Sequence, residues 1–329
     1  MTGVRPRVSV VVEGYNESLS LGSVDDTMAA LLRQDFALGE VEVILVGSPA
    51  QAAHWNRTWG ASSGPFLRVT ALAAAGAHYY ALKNEGARCA AGEILAFTDS
   101  DALPEPGWIA AIVAAVEGGA DVSAGVTLFC DERGRKPDHP LMQVAASISW
   151  GFVVGSGRDA RVVAPAGFLS HNVGFRAATF ARHPYRTDLG RTCAGSFLYG
   201  SLVESGARIV FQPGQRVAHR FSLGWWVLRL HRRFGYEVLL LRRLDVKGQH
   251  GWLDAVKLLE PILTMLWHMA LDVPRWLRFG RILGVPAGRR VLLLPVVGVM
   301  SLLARGGEMV GMVQTIASPE AMKRFAESN

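Results

Sequence analysis

Cysteine is scarce in this chain. Its 329 residues hold three, Cys89, Cys130 and Cys193, widely spaced and odd in number. They make neither zinc-ligand spacing nor a disulfide framework, so a reducing compartment is the simplest home for them. No apolar run reaches the roughly 20 residues that a bilayer-spanning helix requires. The N-terminus offers Arg5 and Arg7, but the apolar stretch after them is closed by Glu13. That stretch is too short for a secretory signal, and a cytoplasmic location is expected. Internal repeats and low-complexity tracts are lacking. Aromatic residues do not interleave with basic ones, and no nucleic-acid motif appears, so nucleic acid is not expected as a partner.

What is present is an apolar and mildly basic chain. Half of the residues are hydrophobic, and 34 basic against 28 acidic residues leave a net charge of +6. That is too apolar for disorder and somewhat apolar for a purely soluble enzyme. Its length allows one large domain or two ordinary ones. Apolar runs at residues 8–12 (VSVVV), 41–47 (VEVILVG), Leu67–Leu72 and 94–98 read as strands. Ala81–Ala91, stopped by Gly92, and Trp108–Val116 read as helices. Residues 131–140, DERGRKPDHP, read as a polar loop. Strands alternating with helices predict a parallel sheet with crossovers.

The most informative segment is GEILAFTDSD, residues 92–101. Residues i and i+2 of a strand share a face. Asp99 and Asp101 are therefore expected to point the same way off the strand tip, where open α/β sheets bind ligands. Two carboxylates held together repel unless a cation lies between them, and a hard divalent ion suits oxygen ligands. The competing reading is an acidic turn before Pro104.

The order of segments resembles the family 2 glycosyltransferases of the GT-A fold. The matching pieces are VSVVVEGYNES, KNEGARCAAGEILAFTDSD with PEPGW after it, NVGFRAATF from Asn172, and GARIVFQPGQRVAH at 206–219. The resemblance implies an α/β fold, a Rossmann-like, mostly parallel sheet with helices on both faces. It also implies a nucleotide-diphosphate sugar donor, a divalent metal (Mn2+ or Mg2+) on the DXD aspartates, and inversion at the anomeric carbon. On this reading residues 1–220 form the glycosyltransferase-like domain. Residues 221–329 form a helical, apolar and basic C-terminal region.

The resemblance also assigns roles. The turn Glu13 to Glu17 lines the base pocket, with Tyr15 stacking and Glu17 hydrogen-bonding. Lys83 and Asn84 lie near the nucleotide, where a lysine offsets pyrophosphate charge. Asp99 and Asp101 hold the metal, with Asp101 the direct ligand, and His219 adds a metal or diphosphate contact. Two departures stand out. The aspartate that binds the base after VEVILV is here Gly47, and the Glu-Asp pair that supplies the general base is here Ala194 and Gly195. Asp188 and Glu204 are the nearest carboxylates in sequence and the candidate substitutes. Three readings follow from the missing pair. They are an acceptor that needs no base, such as a lipid phosphate, a relocated base, or a silent donor-binding relative acting as a partner subunit. A nucleotidyltransferase is disfavoured because VVEGYNES lacks a Gly-rich basic loop.

Residues 155–160, GSGRDA, match a dinucleotide fingerprint by letter, but RVVAPAG follows where a helix must open. From Phe221 the composition changes. Trp225, Trp226, Leu228 and Leu230 sit among arginines, with Arg216, Arg220, Arg229, Arg232, Arg233, Arg242 and Arg243 nearby and Arg275, Arg278, Arg281, Arg289 and Arg290 further on. Two short apolar stretches, 261–271 and 291–303, lie in this region. They read as buried core helices or as interfacial helices. With the basic clusters they make an anionic membrane surface the expected partner and peripheral attachment on the cytoplasmic face the expected location.

Overall fold

The computed structural model describes residues 4–19, 22–60, 64–131, 140–154, 167–188, 191, 193–220, 225–243 and 259–327. Most of the DERGRKPDHP segment, at 132–139, and the GSGRDA segment lie outside the described residues.

Eight strands form one mixed sheet in the order β3-β2-β1-β4-β7-β6-β8-β5. They are β1 (Val8–Glu13), β2 (Val41–Gly47), β3 (Arg68–Ala73), β4 (Ile94–Asp99), β5 (Ala102–Pro104), β6 (Val122–Cys130), β7 (Val173–Arg176) and β8 (Ile209–Arg220). β1 pairs in parallel with β2 and β4, β2 with β3, and β6 with β8. The pairs β4–β7, β6–β7 and β5–β8 are antiparallel. The mostly parallel α/β sheet expected from the sequence is therefore present, with antiparallel strands woven into its second half.

β1 shows why an all-apolar strand belongs at the centre. Every residue from Val8 to Glu13 is buried, as happens when helices cover both faces of a parallel sheet. A single helical turn, α1 (Tyr15–Ser18), follows it. Val10 and Val12 join a cluster with Met28 of α2 (Val24–Leu31) and Trp108 and Ile109 of α5 (Trp108–Glu117). Val11, pointing the other way, joins Tyr80 and Leu82 of α4 (Tyr79–Cys89). The chain crosses from β1 to β2 on one side and reaches β4 on the other. The carboxyl ends of β1 and β4 thus mark a topological switch point, with Glu13 opposite Asp99 in register.

Three further helices line the sheet and its edge: α3 (Pro49–Trp55), α7 (Ala177–Arg182) and α8 (Ala194–Glu204). Between β6 and β7 lies α6 (Pro140–Trp150), which joins the two halves of the molecule. Its Ala145, Ala146 and Trp150 face the sheet cluster, while Val144 and Ile148 pack with Val227, Trp276, Val297 and Ala304 of the C-terminal helices. Those helices are α9 (Trp225–Arg243), α10 (Glu260–Ile282), α11 (Ala287–Leu292), α12 (Leu294–Ala317) and α13 (Pro319–Glu327). α9 and α12 approach very closely. A Cβ on Gly235 would stand 2.0 Å from the Glu308 carbonyl, and one on Gly311 would stand 2.0 Å from that of Arg232.

Two expectations for the C-terminal region need correction. The apolar stretches do not end where the sequence suggested, because each is part of longer helical structure. α12 has 24 residues and is long and apolar enough to cross a membrane by length and composition. The basic clusters are also less open than expected. Arg220 pairs with Asp26, Arg242 with Glu260, and Arg275 with Asp272. Arg216 donates to the Ile282 carbonyl, Arg232 to Gln314, and Arg290 to the Leu277 carbonyl. Buried or half-buried guanidinium groups must find acceptors, and these arginines find them inside the protein. Arg281 and Arg289 remain exposed.

Candidate active site

Asp99 ends β4 and Asp101 lies in the turn after it, each carboxylate in a distinct environment. Asp99 closes β4. Its Oδ1 accepts from Lys83 Nζ at 2.5 Å and its Oδ2 from the Tyr79 hydroxyl at 2.7 Å. Burial alone would raise the Asp99 carboxyl, but the Lys83 charge and these hydrogen bonds hold it below the usual carboxylate range. Asp101 sits in the turn before β5. Burial pushes it up, the His219 imidazole opposes that, and the Asp99 charge adds to it. Asp101 Oδ1 is buried without a hydrogen-bond partner.

Two histidines complete the cluster. β8 ends beside β5, with His219 in register with Ala102, and His219 Nε2 lies 3.4 Å from Asp101 Oδ2. His219 Nδ1 must carry its proton, because it donates to the Arg220 carbonyl at 2.8 Å. In the neutral ring the Nε2 lone pair then faces a carboxylate oxygen, an arrangement that calls for a proton or a cation between them. His171, just before β7, is buried and pushed down to about 3 by burial and then by the His219 charge, so it is neutral at ordinary pH. Trp150 walls both rings, with centroids 5.3 and 5.1 Å away.

Ligand atoms of Asp99, His171 and His219 all lie within 4.8 Å of one another. An ion with ligand distances of roughly 2.0–2.6 Å bridges atoms at such spacings. Asp99, His171 and His219 therefore fit a divalent cation, and Asp101 stands beside them, 3.4 Å from His219. His171 was missed from sequence, although it directly precedes the NVGF segment. Its signal was a lone histidine at a strand start, which by itself points to nothing.

Lys83 and Glu13 need a corrected role. Lys83 is fully buried and its ammonium is committed to Asp99, so it does not stand open to a pyrophosphate. Glu13 is likewise buried, and burial and the Asp99 charge push it well above the usual range. Its Oε2 accepts from the Tyr15 N–H at 2.6 Å. The Asp99 charge at the adjacent strand end thus disfavours a second negative charge at Glu13. Asn84 exchanges hydrogen bonds with the Tyr185 backbone at 2.8 and 3.1 Å, so it pins a loop and does not address a nucleotide.

Tyr15 stands edge-on to Tyr79, with the Arg191 guanidinium 4.9 and 5.2 Å from the two rings. Glu17 accepts from the Val24 N–H and from Gln51 Nε2. Gly47, where an aspartate was missing, lies against Trp55. A Cβ there would come 2.6 Å from the indole and 2.8 Å from Gln51 Oε1. An aspartate at this position would not fit, and Trp55 with Gln51 occupies its place.

Neither candidate base belongs to the cluster. Asp188 is exposed and tied to Arg186 at 2.5 Å, which holds it below its ordinary range. Glu204 is exposed at the last position of α8. At 1.5 Å per residue it lies about 15 Å along the helix from Ala194. Another acidic residue does come to the head of α8, from α9. The backbone carbonyl of Glu237 lies 3.7 Å from Sγ of Cys193, the residue that precedes α8.

Residues 9–166 match the family model described as Glycosyl transferase family 2. No curated protein sequence matches the chain. Among solved structures, the mannosyltransferase PcManGT from Pyrobaculum calidifontis, in complex with GDP-Man and Mn2+, is similar at 18% identity and a TM-score of 0.57. The match covers 95% of this chain and 88% of that one. S. aureus TarS 1-349 in complex with UDP-GlcNAc is 15% identical with a TM-score of 0.47, covering 94% and 92% of the two chains. At such identities the likeness to PcManGT speaks for the fold.

Proposed function

We propose that this chain, whose residues 9–166 belong to glycosyl transferase family 2, transfers a sugar from a nucleotide-diphosphate donor to a lipid-linked acceptor. The reaction is metal-assisted and inverts the anomeric carbon. The observation that carries the reading is the cluster of Asp99, His171 and His219 at the sheet's switch point, with Asp101 beside it. A divalent ion held there would offset the charge of the departing diphosphate. The chain's own groups do the rest. Lys83 and Tyr79 hold the Asp99 carboxylate in one orientation. Tyr15 and Arg191 offer a ring face and a cation to the donor. The mannosyltransferase of similar fold holding GDP-Man and Mn2+ supports such a donor.

The lipid link rests on the outer surface of α10 and α12. Ile262, Leu266, Trp267 and Val273 of the first, and Val299, Leu302, Leu303, Val310, Val313 and Ile316 of the second, are exposed. Such an apolar face suits the boundary of a bilayer, and exposed Arg281 and Arg289 add attraction to anionic headgroups at its cytoplasmic side. Ala194 and Gly195 taken alone favour a lipid phosphate, which is anionic without a base. The position of Glu237 favours a hydroxyl on a lipid-linked acceptor.

Calorimetry with a panel of nucleotide sugars, with and without manganese, tests the reading. Asp101→Ala is expected to abolish manganese-stimulated donor binding while the fold persists. Unchanged donor affinity in that variant would remove the assignment, and donor binding without turnover on any acceptor would mark a silent partner subunit.

A further inference from the structure

Ala194 and Gly195 open α8 where the resembling family carries its acidic pair, and neither side chain can take a proton. We infer that Glu237, presented by α9, accepts the proton of the acceptor hydroxyl in this chain. The inference rests on the sugar-transfer reading above.

The backbone of Glu237 lies at the head of α8. Cys193, in the left-handed region at φ 61°, reaches the Glu237 carbonyl, so α9 crosses the head of α8 at this level. A Cβ on Gly195 would lie 3.5 Å from the Tyr80 hydroxyl. Tyr80 in turn feels Glu237: its phenol is pushed up to about 12, by burial first and then by the Glu237 charge. Glu237, the phenol and the helix head thus share one neighbourhood. Arg191 links it to the metal cluster. Its charge acts on both Glu237 and Asp101, and it hydrogen-bonds Asn16 Oδ1 at 3.0 Å.

The environment suits a base. The Glu237 side chain is 20% open, and Arg233 Nε holds its Oε1 at 3.2 Å. Burial raises the carboxyl above its ordinary range, while Arg233 and Arg191 oppose that and favour the carboxylate. A carboxylate so shifted is a stronger base than one in water. In the step, the acceptor hydroxyl gives its proton to Glu237 as its oxygen forms a bond to the anomeric carbon. The bond from that carbon to the diphosphate oxygen breaks, and its electron pair leaves with the diphosphate. The proton then passes from Glu237 to water. Sequence spacing hid this residue, because Glu237 belongs to a different helix far along the chain from Gly195, and only the fold brings the two together.

The test uses the full chain with manganese, and follows donor hydrolysis, in which water is the acceptor, alongside transfer to an alkyl glucoside and to a polyprenyl phosphate. Glu237→Gln is expected to lower hydrolysis and transfer to the glucoside by about 10²–10⁴-fold in kcat. Donor binding by calorimetry should stay as in the wild type, and the acid limb of the pH–rate profile should disappear. Formate should restore part of the rate to Glu237→Ala, which separates a chemical role from a folding defect. Glu237→Gln within about tenfold of the wild type on hydrolysis would overturn the inference. So would wild-type transfer to polyprenyl phosphate alone, unaffected by the substitution, although sugar transfer itself would stand. A wild type that binds no nucleotide sugar would remove the transfer reading as well.

Discussion

In the sheet half of this molecule, β1 buries Val8, Val10, Val11 and Val12, and α5 buries Trp108, Ile109 and Ile112. In the helical half the order is turned inside out. The charged residues of α12, Arg305 and Glu308, are both buried, and so is Asp272 of α10. Arg305 grips Asp272 through two nitrogens at 2.9 and 2.7 Å, reaches Glu308 at 3.0 Å, and donates to the Ile148 carbonyl of α6 at 2.8 Å. His268 meets the other Glu308 oxygen at 2.8 Å. Outside, the same two helices show Leu266, Trp267, Val299 and Leu302. The hydrophobic effect holds the first half together by removing apolar surface from water. The second half has a small apolar core of its own around Trp276 and Val297, but leaves other such surface outside and buries a matched charge network within. A network of that kind stabilises little by itself but is costly to break.

The largest effect is therefore expected from Arg305→Met. It takes the guanidinium from buried Asp272 and Glu308, leaving them Arg275 and His268 alone, and should cost about 3–5 kcal/mol. Adding Asp272→Leu should recover part of that loss, because the two sites are coupled. Urea unfolding of the single and double variants measures both, and additive losses would show that the pair is not an interacting unit.

A smaller effect comes from acid. His231 of α9 is buried, with Nε2 3.1 Å from the Ser149 hydroxyl of α6, and burial followed by the Arg305 charge pushes it down to about 3. Its folded value lies below the unfolded one, so the unfolded chain binds the extra proton between the two. The stability is present above about 6.5 and is lost as pH falls towards 3, by about 1.4 kcal/mol per pH unit. His231→Asn should flatten the decline of stability between about pH 6.5 and 5 by that amount. Urea unfolding across this range measures it, and an unchanged slope would mean that His231 does not carry the decline.

The smallest effect on stability, with the clearest effect on location, is expected at the outer face. Trp267→Ser and Leu302→Ser should each change stability by about 0.5 kcal/mol or less, since these side chains are already exposed. Flotation of the double variant with anionic liposomes should nevertheless fall sharply. If it floats as well as the wild type, the apolar face is not the lipid contact.

Much of the sheet was legible because buried parallel strands leave a plain trace. VSVVV, VEVILVG and ILAFT are apolar runs bounded by polar turns, and each is a strand. Asp99 and Asp101 were legible for the same reason: they end such a run. Lys83 was seen but misjudged, since a lysine on a helix looks the same in sequence whether it faces water or a buried carboxylate. Asp188 and Glu204 were chosen by distance along the chain, and the fold leaves both in solvent.

The sequence by itself determined the central strands and the acidic tip of β4, because these depend on local pattern and residue identity. Only the tertiary structure decided that His171 and His219 meet at Asp99, that Trp55 fills the space beside Gly47, and that Glu237 reaches the head of α8. It also decided that Asp272 of α10 and Arg305 and Glu308 of α12 turn inward. Such pairings join residues far apart in the chain, and their energy depends on distance and burial, which no local pattern records.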